Sequence, residues 1–242
     1  MQLSFIHNGN VIEFEVIFRK RQSLGIMVEA GGKVTVIAPP GTSKEVILQK
    51  AEQKANWIIK QLEHFAPQKT QARELLEGEL FLYRGQLYPL HLEIEPTVSK
   101  PDIGIKQGKL WIRISSEDND LLKDALENWY RYQARDRIIE RIVYYQDRIG
   151  RVPGRVCIKD QKRRWGSCSA RGNLNFNWRL VMAPDKVLDY VVVHELCHLL
   201  ELNHSKEFWS LLASILPDYK ERKDWLKNNG YRMRLYEKPV KN

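Results

Sequence analysis

The chain has 242 residues, of which 43% are hydrophobic and 29% charged, proportions that are typical of a soluble globular protein. No apolar run approaches the roughly 20 residues that a membrane-spanning helix requires, and the first residues lack the pattern of a signal peptide. The three cysteines, Cys157, Cys168 and Cys197, do not suggest a disulfide framework. We therefore expect a cytoplasmic protein with no membrane segment.

The net charge of +9 is compatible with a polyanionic partner. Much of the positive excess lies between Arg131 and Arg164. A solvated basic surface explains this excess without a ligand, whereas nucleic-acid binding requires the charges to follow one face. Both interpretations stay open, and no pattern indicates an oligomeric state.

The first forty residues alternate apolar with polar residues or cluster β-branched residues, which predicts strands. They are expected over residues 11–18, 25–30 and 33–39, with a hairpin turn at Gly31-Gly32. A helix then follows with an apolar stripe over 47–62, and Thr42 and Glu45 have the spacing of a capping box at its start. Four more strands are predicted over 80–84, 87–94, 102–106 and 109–115, with turns at Gly85-Gln86 and Gln107-Gly108.

Near Ser115 the period changes to 3.6, which predicts a long helix from Asn119 to Ile149. Short strands are expected over 155–160 and across 164–184, followed by a helix entered through Pro184 and by one or two further helices. The predicted fold class is α+β. Its domains are a β-rich N-terminal region with one helix, residues 1–116, and a helix-rich C-terminal domain, residues 117–242.

Three of the six histidines lie in the stretch VVVHELCHLLELNH, residues 191–204. His194 and His198 are four residues apart, so on a helix they share one face and can chelate one metal ion. Glu195 lies about 100° around the axis from His194, where it can reach a water on that ion without ligating it. This is the H-E-x-x-H arrangement of zinc hydrolases.

The third histidine, His204, can join the site only if the chain leaves the helix, because a continuous helix would place it about 15 Å beyond His194. A break is expected between Leu200 and Asn203, since asparagine tolerates left-handed backbone angles. The spacing matches the metzincin pattern H-E-x-x-H-x-x-G-x-x-H, but Glu201 stands in place of its glycine.

A carboxylate from a later helix is the alternative third ligand, as in thermolysin-type sites, and the candidates are Glu207, Glu221 and Asp224. The helix carrying the motif is apolar nearly all round, so a glutamate between two histidines is costly there unless it finds a partner. A metal ion with its water supplies that partner. One Zn²⁺ per chain is expected, because three neutral nitrogens and one open position suit its tetrahedral preference.

Three segments carry a resemblance to a known family: RWGSCS (164–169), GNLNFNWRLVMAP (172–184) and DYVVVHELCHLLELNHSKEFW (189–209). They resemble the signature of the YgjP-like zinc-dependent metallopeptidases, which are related to SprT-like and WLM-type proteases. The resemblance extends over most of the chain. It implies a zincin-like C-terminal half, with zinc held by His194, His198 and His204 and with Glu195 as general base.

The resemblance also implies that RWGSCS and NLNFNW form a small sheet beside the site, whose edge strand would pair with an extended peptide. Arg164, Trp165 and Ser167 are then candidate substrate-binding residues. The expected function is a metallopeptidase that hydrolyses peptide bonds of a peptide or protein substrate with a zinc-activated water.

Two enzymatic alternatives stay open. Some SprT-like and WLM relatives act on proteins attached to DNA, which suits the basic charge. Some YgjP-like proteins are labelled nucleotide pyrophosphatases, although this sequence contains no Walker A loop and no carboxylate-rich magnesium site. A zinc-stabilised binding module is disfavoured, because a purely structural site usually has four protein ligands.

Overall fold

The computed structural model describes residues 1–28, 32–65, 75–161, 164–233 and 235. Their contacts divide them into two compact units, the first holding the residues up to 65 and the second those from 75 to 235. The protein is mixed α+β, with most strands before residue 115 and most helices after it, which confirms the predicted fold class. None of the described helices combines the length and apolar character that crossing a bilayer requires.

The first unit is a four-stranded sheet packed against two helices. The two middle strands of the sheet are parallel and the outer pairs are antiparallel. In spatial order the strands are β1 (Gln2–His7), β2 (Asn10–Phe18), β4 (Val34–Ala38) and β3 (Gly25–Val28). The helices are α1 (Lys44–Glu52) and α2 (Ala55–Phe65). The core between them is built from apolar side chains that include Ile12, Phe14, Val36, Ile47 and Ile58.

The start of α1 differs from the predicted capping box. Ser43 is the N-cap residue, and its hydroxyl accepts a hydrogen bond from the backbone N–H of Val46 at 3.4 Å. The Thr42 hydroxyl instead donates to the carbonyl of Pro39 at 2.8 Å, so the prediction of Thr42 as the cap was wrong. The predicted single helix is also divided in two, between residues 52 and 55. Part of the predicted Gly31-Gly32 turn lies outside the described residues.

The second unit opens with another four-stranded sheet. It consists, in spatial order, of β5 (Leu80–Tyr83), β6 (Gln86–Ile94), β8 (Lys109–Ile114) and β7 (Asp102–Lys106). The predicted Gln107-Gly108 turn joins β7 to β8. The turn between β5 and β6 lies at Arg84-Gly85, one residue before the predicted Gly85-Gln86. The two residues of each turn have positive φ, as type I′ hairpin turns require. This sheet repeats the strand order and directions of the first.

The long helix α3 (Asn119–Ile149) has the predicted bounds. The carboxylate of Asp118 caps it by accepting hydrogen bonds from two backbone N–H groups, and Gly150 ends it in the left-handed conformation. The predicted boundary between residues 116 and 117 falls inside the second unit, between β8 and α3. The division into a region and a domain at that point stays a prediction.

A small sheet and three helices complete the second unit. The sheet has the spatial order β10 (Gly166–Cys168), β11 (Leu174–Asn177) and β9 (Val156–Lys159). Residues 178–182, which were predicted as part of a strand, form a 3-10 helix. The remaining helices are α4 (Asp185–Cys197), α5 (Lys206–Ile215) and α6 (Tyr219–Asn229). Helix α4 is central, since it contacts α3, α5, α6 and β10.

The start of α4 is held by the β5–β6 hairpin. The backbone N–H groups of Arg84 and Gly85 donate to the carbonyls of Val181 and Met182, and the Arg84 guanidinium binds Asp185 through two hydrogen bonds. Gly85 approaches Pro184 so closely that a Cβ at residue 85 would lie 2.7 Å from the proline ring. The sheet therefore fixes where α4 begins.

Asp189 joins the middle of α4 to α3. Its buried carboxylate accepts hydrogen bonds from Arg141 Nε at 2.6 Å, from Arg141 Nη2 at 2.9 Å and from the Tyr145 hydroxyl at 2.9 Å. We expect Asp189→Ala to lower the free energy of unfolding by about 3–5 kcal/mol, because it leaves the largely buried Arg141 guanidinium without its ion-pair partner. Urea unfolding measures this loss. Asp136→Ala, on the exposed side of α3, is the control and should stay within about 0.5 kcal/mol of wild type.

Candidate metal centre

Helix α4, which carries the HELCH motif, is buried on nearly every side. From Val191 to Cys197 every residue is buried except His194, and His198 directly after the helix is half-buried. The two histidines therefore point to the one accessible face. A buried apolar helix around two polar side chains is the environment that the sequence predicted.

The structure brings the three predicted histidines together. One ring nitrogen from each of His194, His198 and His204 lies within 4.8 Å of the other two. The Nε2 atoms of His194 and His204 are 3.0 Å apart. In the part of the chain that the structure describes, no other group of three or more histidine, cysteine or acidic side chains is arranged to hold a metal ion. The alternative carboxylates Glu207, Glu221 and Asp224 are exposed and are not members of this group.

The chain reverses after α4 without a glycine. The helix ends at Cys197, and the N–H groups of Leu199 and Leu200 bond to carbonyls three residues back, which tightens the last turn. The break therefore begins earlier than the predicted interval between Leu200 and Asn203. Asn203 does not have the positive φ that was expected of it, so that part of the prediction was wrong.

A backbone carbonyl in this turn orients His198. The Nδ1 atom of His198 lies 2.9 Å from the carbonyl oxygen of Glu201. Because a carbonyl oxygen can only accept a hydrogen bond, Nδ1 carries the proton and the lone pair of Nε2 is available to a metal ion. Glu201 is the residue that replaces the glycine of the metzincin pattern, and it contributes through its main chain.

His204 is positioned by the start of α5. Ser205 is the N-cap of that helix, and its hydroxyl accepts a hydrogen bond from the N–H of Phe208 at 3.3 Å. The buried Phe208 ring stacks on His198 with centroids 4.6 Å apart, and the Trp209 ring stacks on His204 with centroids 5.5 Å apart. The first turn of α5 thus supports two of the three imidazoles.

Burial and neighbouring charges favour the neutral imidazoles of His194 and His204. Burial lowers the pKa of His194 to about 3, and the neighbouring His198 and His204 add to this effect. Partial burial and the nearby His198 also lower the pKa of His204. Metal binding requires the unprotonated imidazole, so neither group has to lose a proton near neutral pH. Three neutral nitrogens that converge on one point fit a zinc ion.

Glu195 directly follows His194 on α4 and is shielded from solvent. Its side chain is 5% exposed, and burial raises the pKa of its carboxyl group to about 8 while the Arg164 guanidinium opposes that shift. The Oε2 atom is buried and has no hydrogen-bond partner among the described residues. An unpaired buried carboxyl is costly unless a ligand or water satisfies it. A cation on the histidines would favour its ionised form.

The carboxyl group of Glu195 rests on the backbone of β10. A Cβ at Gly166 would lie 2.5 Å from Glu195 Oε1 and 2.8 Å from its Cδ, closer than real contacts allow. Only glycine therefore leaves room for the glutamate in this position. The sequence analysis did not identify Gly166 as a site residue, although a glycine inside a predicted strand can indicate such a close approach.

The three candidate substrate-binding residues differ in their surroundings. Arg164 is exposed, and its charge acts on Glu195. Trp165 packs against Gly230, where a Cβ would lie 2.8 Å from the indole ring, and the Ser167 hydroxyl accepts a hydrogen bond from Asn175 at 3.3 Å. All three lie on or just before β10, an edge strand of its sheet.

Asn177 is a second residue whose role the sequence did not reveal. Its side chain is buried, and its amide donates to the carbonyls of Gln161 at 2.8 Å and of Arg164 at 3.4 Å. Its backbone N–H donates to the carbonyl of Trp165 at 2.8 Å. Asn177 thereby fixes the chain that leads into β10 and holds Arg164 near Glu195.

Known proteins that are similar to this chain are metallopeptidases. The profile of the family described as "YgjP-like, metallopeptidase domain" matches residues 22–229. Among solved structures, the metallopeptidase zymogen abylysin of Pyrococcus abyssi is similar, with 22% sequence identity and a TM-score of 0.36. The match covers 38% of this chain and 93% of the abylysin chain. No curated protein gives a significant match.

Proposed function

Because this chain belongs to the YgjP-like family of metallopeptidases, we propose that it is a zinc-dependent peptidase with Glu195 as general base. Its zinc ligands would be His194, His198 and His204. The observation that carries the proposal is the convergence of three imidazole nitrogens within 4.8 Å beside a buried, unpaired carboxyl group. Peptides or proteins are the substrates that this chemistry serves.

Glu195 moves the protons in this reaction. Zinc bound to the histidines would stabilise negative charge on the substrate oxygen and lower the pKa of water to about 7. Glu195 accepts a proton from the attacking water and delivers it to the departing amine, for which its dry position over Gly166 is suited. The exposed Arg164 favours the ionised carboxylate that begins the cycle.

The proposal is tested with the purified 242-residue chain and an unbiased peptide library. We expect cleavage that stops when a chelator removes zinc and returns when zinc is added back. Cleavage that continues in the zinc-free protein would refute the proposal. An absence of cleavage in protein loaded with about one zinc per chain would also refute it.

Gly166→Ala tests the placement of the base. The new Cβ would push the Glu195 carboxyl group away, and a displacement of about 1 Å is enough to lower kcat/KM about 10²-fold. Zinc content should not change, since no ligand moves. Gly104→Ala in β7 is the matched control, because a Cβ there meets no atom within 4 Å. Wild-type kcat/KM in Gly166→Ala would show that the base tolerates displacement.

The nucleic-acid and pyrophosphatase alternatives gain no support from the described residues. Several arginines of the basic stretch pair with carboxylates of the protein itself: Arg131 with Glu127, Arg137 with Asp185 and Glu140, and Arg141 with Asp189. Part of the positive excess therefore stabilises α3 and α4, which favours the interpretation without a polyanionic partner.

A further inference from the structure

An open pocket adjoins the third histidine. It has a volume of about 370 Å³ and is lined by Trp209, Tyr219, Lys220, Lys223 and Asp224. The rings of Trp209 and Tyr219 stack with centroids 5.5 Å apart and planes at 23°. The indole also stacks on His204 at 5.5 Å, so the aromatic wall of the pocket continues directly into the candidate metal centre.

Two ammonium groups give the pocket a positive charge. Lys223 Nζ lies 4.8 Å from the centroid of the Trp209 ring, and its charge contributes to the lowered pKa of His194 and of His204. Lys220 and Lys223 are both exposed, and within the described residues no carboxylate forms an ion pair with either. Asp224 is the only acidic residue in the lining, so positive charge exceeds negative charge.

The neighbouring Arg222 differs from the two lysines because it anchors α6 through hydrogen bonds. Its guanidinium donates to Asp218 at 2.8 Å and to the carbonyl of Lys186 at 2.9 Å, so it joins α6 to the start of α4. The two lysines have no such anchoring role among the described contacts. Their ammonium groups are available to a ligand that enters from solvent.

The pocket lies within reach of a peptide bound at the histidines, since Trp209 contacts both His204 and Lys223. Extended peptide advances about 3.4 Å per residue, so a peptide whose carbonyl lies at the histidines and whose chain runs toward Trp209 would reach Lys223 within one to three residues. Aromatic rings offer a flat apolar support for a peptide, and unpaired ammonium groups attract an anion.

We infer that this pocket selects substrates with a carboxylate within about three residues of the scissile bond, and that Lys223 is the residue that binds it. The inference rests on the proposed peptidase function. The carboxylate belongs either to an aspartate or glutamate side chain or to the free C-terminus of the substrate. Trp209 and Tyr219 support the peptide while Lys223, assisted by Lys220, recognises the charge.

The test measures binding, so that it does not depend on turnover. The zinc-loaded 242-residue chain carrying Glu195→Gln is titrated in a calorimeter with alanine pentapeptides that contain glutamate or glutamine at each position in turn. Each is prepared with a free or an amidated C-terminus. We expect carboxylate peptides to bind roughly three- to tenfold more tightly than their uncharged partners. The glutamate series and the C-terminal series identify which carboxylate is recognised.

Three variants assign the preference to Lys223. Lys223→Met should remove it, and Lys223→Arg, which keeps the charge, should retain it. Lys227→Met lies on the same helix and is exposed but does not line the pocket, so it should also retain the preference. Circular dichroism checks that each variant is folded.

The outcomes separate the inference from the proposed function. Three results would overturn the inference even if the wild-type protein cleaves peptides. They are equal binding of charged and uncharged peptides, no binding of any peptide, and a preference that survives Lys223→Met. A preference that depends on Lys223 in a protein that cleaves nothing would support the pocket and refute the peptidase.

Discussion

Glu195→Gln is expected to lower kcat/KM for peptide cleavage about 10³-fold, within the range that positioned general acid–base groups contribute. Glutamine has nearly the same shape, so it fits in the space above Gly166 that the glutamate occupies. It cannot accept the proton of the attacking water or deliver a proton to the departing amine. The loss should therefore appear in kcat, while substrate binding changes little.

The measurement pairs steady-state kinetics with metal analysis of the same sample. About one zinc per chain should remain, since Glu195 is not a ligand in the proposal. A matched control is Glu201→Gln, because Glu201 acts in the turn through its backbone carbonyl, which the substitution preserves. Undiminished activity in Glu195→Gln would remove Glu195 from the mechanism.

His204→Ala is expected to weaken zinc binding more than about 100-fold, a larger effect than the loss of an outer-sphere partner of a ligand. The substitution leaves only two imidazoles to hold the ion and removes the nitrogen that lies 3.0 Å from His194 Nε2. Because His204 is exposed, the fold should tolerate the change. Competition with a chromophoric chelator measures the affinity.

His91→Ala is the control for this experiment. His91 lies on β6 in the same unit, pairs with Glu77 and is remote in sequence from the centre. Wild-type zinc affinity in His204→Ala would contradict its role as third ligand. A loss of affinity in Glu207→Ala, Glu221→Ala or Asp224→Ala instead would assign that role to a carboxylate.

The predictions that the structure confirms rest on periodic burial. Helix α3 has its predicted bounds because an apolar stripe runs along its whole length between a carboxylate cap and Gly150. The hairpins of the second sheet could be predicted for a similar reason, since short segments of alternating polarity flank turns that contain glycine. Both signals are local, so they can be read from neighbouring residues in the sequence.

The features that the sequence did not predict depend on contacts between distant segments. Nothing near Gly166 shows that Glu195, 29 positions later, occupies the space of its missing side chain. Asn177 likewise acts through carbonyls of Gln161 and Arg164 that only the folded chain brings near. The shared strand order of the two four-stranded sheets leaves no repeat in the sequence, because a topology constrains polarity patterns more than residue identities.

The glycine-free reversal between the second and third histidines affects how related sites can be recognised. No residue from His198 to His204 has a positive φ, and the direction of His204 is set by Ser205, which begins the next helix. A search motif that demands glycine in this interval would reject the chain. A motif that keeps the interval length and requires a helix-capping residue after the last histidine would describe the physical constraint, and it would leave the intervening side chains free to vary.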